Sequence, residues 1–330
     1  MNSVNAKLLI VATCVMATAS WLVCAENVKA QPAPVNIGVL TPGLTYTPVL
    51  EGLREGLAKL GYREGKNFAF SIEDTKGDLG NLPARAAKLL EAKPDLIFVV
   101  STAITAAAKR ATQSVPIVFS VVGDPLQAQF IASYASSRNN LTGVSTSVAL
   151  LTAKRLELLK ELAPRAKSIM AIVSINEATA RIALPYLDES AKKFGYQVVR
   201  RDVANLAELE KLFAEKWSGT VDAVFPLPGV LLTTNIGTLA AKVSKERLPM
   251  IVNDDSWVKA GAMASYGTDY PSIGRQSAKL VVKVLRGAKP ADVPVEPPEV
   301  LVLSLNRSAA KAIGLKLPDK VLERADNIFD

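Results

Sequence analysis

The chain has 330 residues, of which 49% are hydrophobic, 21% charged and 6% aromatic; these are the proportions of a folded globular protein, and they exclude a disordered chain or one embedded in a membrane. Its formal net charge is +8, yet basic residues gather no more tightly than the pairs Lys109-Arg110 and Arg200-Arg201, without the basic stripe and interleaved aromatics of a nucleic-acid partner. It has no histidine, and its two cysteines are Cys14 and Cys24. The commonest general base, the commonest zinc ligand and, beyond residue 30, all thiol chemistry are therefore excluded.

Residues 1–30 read as a signal peptide. Lys7 precedes the apolar run Leu8 to Val23, and small residues follow up to Val28-x-Ala30, a cleavage site. A spanning helix needs about 20 apolar residues; this run is shorter and carries Thr13, Thr18 and Ser20. A lipid anchor at Cys24 is disfavoured by the bulk of Val23 before it. The expected location is the periplasm or outside the cell.

Beyond the signal, strands alternate with helices. Val35 to Leu40 forms a strand, and Thr41 to Tyr46 is the loop at its carboxyl end. Thr47 and Pro48 open a helix with Leu50, Leu53, Leu57 and Leu60 on one face, closed by Gly61. Phe68 to Ile72 is a strand, and Asn81 with Pro83 opens a helix that stops before Pro94. Asp95 to Val100 is a strand followed directly by Ser101-Thr102, which cap an alanine-rich helix; hydroxyls and free N–H groups meet there, where the helix dipole favours an anion, although an ordinary cap explains the pair equally. Ile117 to Val122 is a buried strand that stops at Gly123-Asp124-Pro125, read as a second helix start with Asp124 as cap. Right-handed crossovers then place the loops at Thr41 to Tyr46, Ser101-Thr102 and Gly123-Asp124 on one rim of a parallel sheet, where ligands of open α/β sheets bind.

Leu141 to Ser145 is a short strand that bridges to a second half, in which the alternation restarts. A helix runs from Leu150 to Leu162, and a strand from Ser168 to Val173 ends at Ser174-Ile175-Asn176. A helical stretch reaches Phe194 and is expected to kink or break at Pro185. Strands follow at Tyr196 to Arg201, Val221 to Phe225 and Met250 to Val252, with helices over Asn205 to Trp217 and Thr233 to Glu246 between them. Asn253-Asp254-Asp255 precedes a short helix around Trp257. The run Ala262 to Tyr266 leads through Gly267-Thr268-Asp269 into an amphipathic helix from Pro271 to Arg286, and a proline-rich connection and a strand at Val300 to Leu305 complete the pattern.

Taken together and in order, VPIVFSVVGDPLQAQFIAS, LTGVST, KRLELLKELAP, LPMIVNDDSWVKAGAMASYGTDYPSIGRQSAK and GAKPADVPVE resemble ABC-transporter substrate-binding proteins of the tryptophan/tyrosine-type group, in the type I periplasmic-binding-protein superfamily. The resemblance spans residues 35–328. It implies an α/β fold of two Rossmann-like, doubly wound parallel-sheet lobes joined by a three-crossing hinge: 35–144 with 268–290 as the first lobe, 145–267 with 291–330 as the second. It implies a monomer without cofactor or metal that closes over a small-molecule ligand and delivers it to an ABC permease and ATPase in the inner membrane. By matching segments, ligand contacts fall on Thr41, Tyr46, Ser101, Thr102, Gly123, Asp124, Ser145, Thr146, Asn253 and Asp254. The reading of the loops adds Asn176 and, as apolar packing for the ligand, Trp257. Two departures stand out: TPGLTYTP lacks the Glu-His-Pro of amino-acid-binding members, and FPLPGVLLT has no acid where some carry one. An aromatic amino acid or related small carboxylate is thus one candidate ligand. The alternatives are a ligand-sensing periplasmic protein acting on a membrane receptor and, less favoured, an exported α/β enzyme.

Overall fold

In the computed structural model, which describes residues 34–330, the first sheet has five parallel strands in the order β2-β1-β3-β4-β5: β1 Val35–Thr41, β2 Phe68–Asp74, β3 Leu96–Val100, β4 Ile117–Val122 and β5 Leu141–Ser145. β3 is buried along its whole length and β4 along nearly all of it, which is why both read as unbroken apolar runs. Helices α1 Thr47–Lys59, α2 Leu82–Glu91 and α3 Thr102–Ala111 connect the first four strands.

The second lobe places β6 Ser168–Ser174 between β7 Gln197–Val203 and β8 Ala223–Pro226, all parallel. A single bridge from Val224 to Met250 leads on to β9 Ile251–Val252, β10 Ala264–Thr268, β11 Leu301–Asn306 and β12 Asn327–Phe329. Its helices are α4 Thr152–Leu162, α5 Ala178–Phe194, α6 Leu206–Ala214, α7 Val230–Thr234, α8 Ile236–Lys245 and α9 Asp255–Lys259. α10 Tyr270–Leu285 returns to pack on α1 in the first lobe, and α11 Arg307–Ala312 and α12 Asp319–Leu322 close the second. β10 and β11 run antiparallel, so the second sheet is mixed where a wholly parallel one was expected.

Three local expectations need correction, and one element carries no signal in the sequence. Asp124-Pro125 does not open a helix: Asp124 Oδ1 accepts from the N–H groups of Leu126 and Gln127, both at 3.0 Å, and the chain continues as turns. The carboxylate closes an Asx turn instead of capping a helix, since no periodic apolar face follows it. α5 runs unbroken through Pro185, which sits on the exposed side, where water can take the carbonyl the ring leaves free. The helix expected over 233–246 is two, because the backbone breaks at Asn235. The carboxyl terminus adds β12 beside β11, a strand of three residues that no alternation announces.

Three crossings join the lobes: residues 146–151 after β5, Asp269 between β10 and α10, and residues 293–300 before β11. The third is zipped to β5, just ahead of the first. Ser145 N–H donates to the Glu296 carbonyl at 2.9 Å, and Glu296 N–H to the Gly143 carbonyl at 3.0 Å. Gln276, buried on α10, donates to the Glu296 carboxylate and the Pro297 carbonyl, each at 2.9 Å, and accepts from Glu299 N–H. Among the described residues no helix is long and apolar enough to cross a membrane.

Candidate functional site

A cavity with about 520 Å³ of space unfilled by atoms lies between the carboxyl ends of the two sheets, part of it open to solvent. The first lobe supplies Tyr46, Ser101, Thr102, Ala103 and Val121; the first crossing supplies Thr146 and Val148, and the start of α10 supplies Tyr270; the second lobe supplies the start of α5, Pro228 to Val230, Thr233, Asn253 and Thr268.

Tyr46 is delivered by a 3-10 turn, Leu44–Tyr46, that follows Gly43 at φ 137°, a conformation costly for any other residue. Its ring stacks on that of Tyr270, centroids 5.5 Å apart and planes at 21°. Burial drives both phenols above their usual range; the hydroxyls of Thr233 and Tyr270 beside Tyr46 pull it partly back. Both therefore stay neutral.

Ser101 sits at φ 88°, ψ 157°, and its Oγ caps α3 by accepting from Ile104 N–H, while Thr105 Oγ1 donates to the Ser101 carbonyl at 2.7 Å. The first N–H groups of α3, at Thr102 and Ala103, have no intrahelical carbonyl to meet. Val121 is also left-handed, at φ 56°, where a register shift separates Phe119 from Val122 against β5. Strained non-glycine backbone on two adjacent strand ends is the kind of feature that clusters at ligand sites.

The second lobe presents one carboxylate to the cavity, and sequence reading missed it. Glu177 accepts from Ser174 Oγ at 2.7 Å, from Val230 N–H at 2.6 Å and from Leu231 N–H at 2.9 Å, so it holds the start of α7 as well as a cavity wall. The signal was an acid three residues beyond a strand-end serine. Thr179 and Tyr270 were likewise passed over. The cavity lining carries no lysine or arginine.

Of the twelve expected contacts, Tyr46, Ser101, Thr102, Thr146 and Asn253 line the cavity. Asp254 lies just behind it, 1% exposed, capping α9 through Ser256 N–H at 2.8 Å. Burial raises its carboxyl above the usual range against the pull of Ser256 and Tyr270. The Tyr270 hydroxyl is close enough to exert that pull, yet Asp254 Oδ2 has no partner of good geometry, and neither has Asn253 Oδ1. Thr41 is buried at the end of β1, and Gly123 and Asp124 turn away into the loop after β4. Ser145 Oγ is spent on the Val122 carbonyl at 3.1 Å. Asn176 is exposed, donating to the Ala204 carbonyl. Trp257 is wholly buried in the second-lobe core, packed there with Val252, Val258 and Leu239, and cannot cover a ligand. Its position one turn into α9 points it inward, a distinction that composition alone does not make.

Two α/β lobes, the first built on a parallel sheet and the second on a mixed one, with three crossings and a cavity at the shared strand ends, define a type I periplasmic-binding-protein fold. The chain belongs to the ABC transporter substrate binding protein family, which matches residues 35–329. It is 28% identical over 285 residues to a tyrosine-binding protein of Clostridioides difficile (strain R20291), covering 85% of this chain and 81% of that one. Among solved structures, a conserved domain protein of Vibrio cholerae O1 biovar El Tor superposes with a TM-score of 0.83 at 28% identity, covering 89% of this chain and 99% of that one. A Streptococcus pneumoniae ABC domain in complex with L-Trp superposes with 0.81 at 24% identity, covering 90% and 100%. A ligand-free, open substrate-binding protein of Clostridium difficile superposes with 0.67 at 26% identity, covering 89% and 99%.

Proposed function

We propose that the chain is an exported receptor of an ABC importer that takes up an aromatic amino acid, holds it between its lobes and delivers it to a permease and ATPase in the inner membrane. The observation that carries the reading is the polarity of the cavity. On the first-lobe side, Ser101, Thr102 and the free N–H groups of α3 suit a carboxylate with no cation at hand. On the opposite side, Glu177 and the unpartnered Asn253 Oδ1 and Asp254 Oδ2 suit an ammonium. The stacked tyrosines offer an apolar face to the ring of the ligand. The relatives that bind tyrosine and L-Trp support the same class. The lobes proposed are 35–144 with 268–290, extended by the buried Val293 and Val295, against 145–267 with the rest of the carboxyl-terminal chain.

Calorimetry and thermal unfolding test this directly. L-tyrosine or L-tryptophan at 100 times its dissociation constant should stabilise the protein by about 2.7 kcal/mol, while myo-inositol should leave the midpoint unmoved. No shift with either amino acid at millimolar concentration removes the assignment.

A further inference from the structure

Gly123 reads in the sequence as a ligand contact, yet it does not line the cavity: its N–H donates to Thr102 Oγ1 at 3.3 Å. What it meets is the other lobe. A methyl group on Gly123 would lie 2.8 Å from Thr179 Cγ2, in the first turn of α5, and 3.2 Å from Val148 Cγ1, on the first crossing. Gly123 is not among the glycines with left-handed backbone, so alanine fits its conformation and the obstacle is purely one of space. The lobes also approach at Gly77, after β2, where a Cβ would stand 3.4 Å from Thr234 Cγ2 and 3.6 Å from Thr234 Cβ, at the end of α7.

We infer that Gly123 is an affinity-determining residue that acts without touching the ligand: its missing side chain is the space into which Thr179 moves when the lobes close. A side chain there needs only a slight shift of Val148 while Thr179 is withdrawn and clashes once Thr179 arrives. The penalty therefore falls on the closed form alone, and only a difference between the two forms moves their equilibrium. Overpacking by a methyl group of this kind is large enough to shift that equilibrium about tenfold. The inference rests on the receptor reading above for its consequence in affinity, but the closure contact can be read with no ligand present.

The chain supplies a clean reporter, because Cys14 and Cys24 are its only cysteines. With both replaced by serine, Gly77→Cys and Thr234→Cys place two thiols at a separation that a disulfide accepts. Their cross-linking rate under mild oxidation reports visits to the closed form, and any strain from cysteine at position 77 is common to every variant compared. The pair is expected to cross-link, Gly123→Ala to slow it about tenfold, and Thr179→Ser, which removes only the Cγ2 methyl, to restore most of the rate. Without the reporter cysteines, Gly123→Ala should weaken L-tyrosine or L-tryptophan binding by the same factor and leave the ligand-free unfolding midpoint in place. Equal cross-linking rates, a loss that Thr179→Ser fails to relieve, a lowered ligand-free midpoint, or a reporter pair that never cross-links would each overturn the inference. If cross-linking follows the expected order while neither amino acid binds the parent chain, the ligand assignment fails and the closure contact stands.

Discussion

Gly274→Val is expected to abolish folding of the first lobe. α1 and α10 meet backbone to backbone: a Cβ on Gly274 would lie 2.1 Å from the Val49 carbonyl oxygen and 2.6 Å from Leu53 N, and one on Gly52 would lie 2.1 Å from the Pro271 carbonyl oxygen. Gly56 continues the seam one turn on, 2.6 Å from Ala278 Cβ. No rotamer change can relieve a clash with main-chain oxygen. The helices would have to part by more than an ångström, pulling Leu53, Leu57, Ile273 and Val281 out of a core in which all are at most 1% exposed. That cost exceeds about 4 kcal/mol, a large share of the stability of an ordinary domain. Gly237→Ala, inside α8 with nothing within 4 Å of the added methyl, is the matched control and should gain up to about 1 kcal/mol. Urea unfolding followed by circular dichroism reads both. A cooperative transition for Gly274→Val at the parent midpoint would mean that the helices do not pack as described.

The same seam shows what a sequence does and does not disclose. The leucines at 50, 53 and 57 announce a buried helix face by their spacing, and Phe68, Leu96 and Ile117 announce strands by their runs, because burial on one face or two leaves a period in the chain. Glycines 52, 56 and 274 leave no period; they look like weak points in a helix until the partner backbone is in view. The carboxyl-end rule brought Tyr46, Ser101, Thr102 and Asn253 to one cavity, since it depends only on strand direction, and the family resemblance added Thr146. It could not tell Asp254 behind the wall from Asn253 in it, or see that Trp257 faces the core, because those are matters of side-chain direction within a single turn. Glu177 escaped for a different reason. An acid at the start of a helix reads as its own helix's cap, whereas here it serves α7, whose start is brought to it only by the fold.

For Asp254→Asn, stability and binding are expected to move in opposite directions. The native carboxylate is 1% exposed with Oδ2 unpartnered, and burial raises its pKa from the ordinary value. A raised folded value means that the fold prefers the neutral acid. That preference stabilises below the unfolded pKa of about 3.9, and the stabilisation is lost as pH rises through the folded value, so ionising this buried carboxyl costs the ligand-free protein stability. Asparagine keeps the acceptor for Ser256 N–H and sets a donor where Oδ2 lies, beside the Tyr270 hydroxyl. Relieving an unsatisfied buried acceptor contributes about 1–3 kcal/mol. The ligand-free variant should therefore melt several degrees higher than the parent at pH 7, and the advantage should disappear as the pH is taken below 4. A protein retains such a carboxylate when something else supplies its partner; on the receptor reading proposed above, that partner is the ammonium of the ligand. Affinity for L-tyrosine should accordingly fall tenfold or more, the worth of a charge-assisted hydrogen bond. Affinity for the des-amino analogue 3-(4-hydroxyphenyl)propionate, which has no ammonium to lose, should hold or improve. If Asp254→Asn instead lowers the ligand-free midpoint and weakens both ligands alike, the carboxylate is structural and the cation belongs to Glu177.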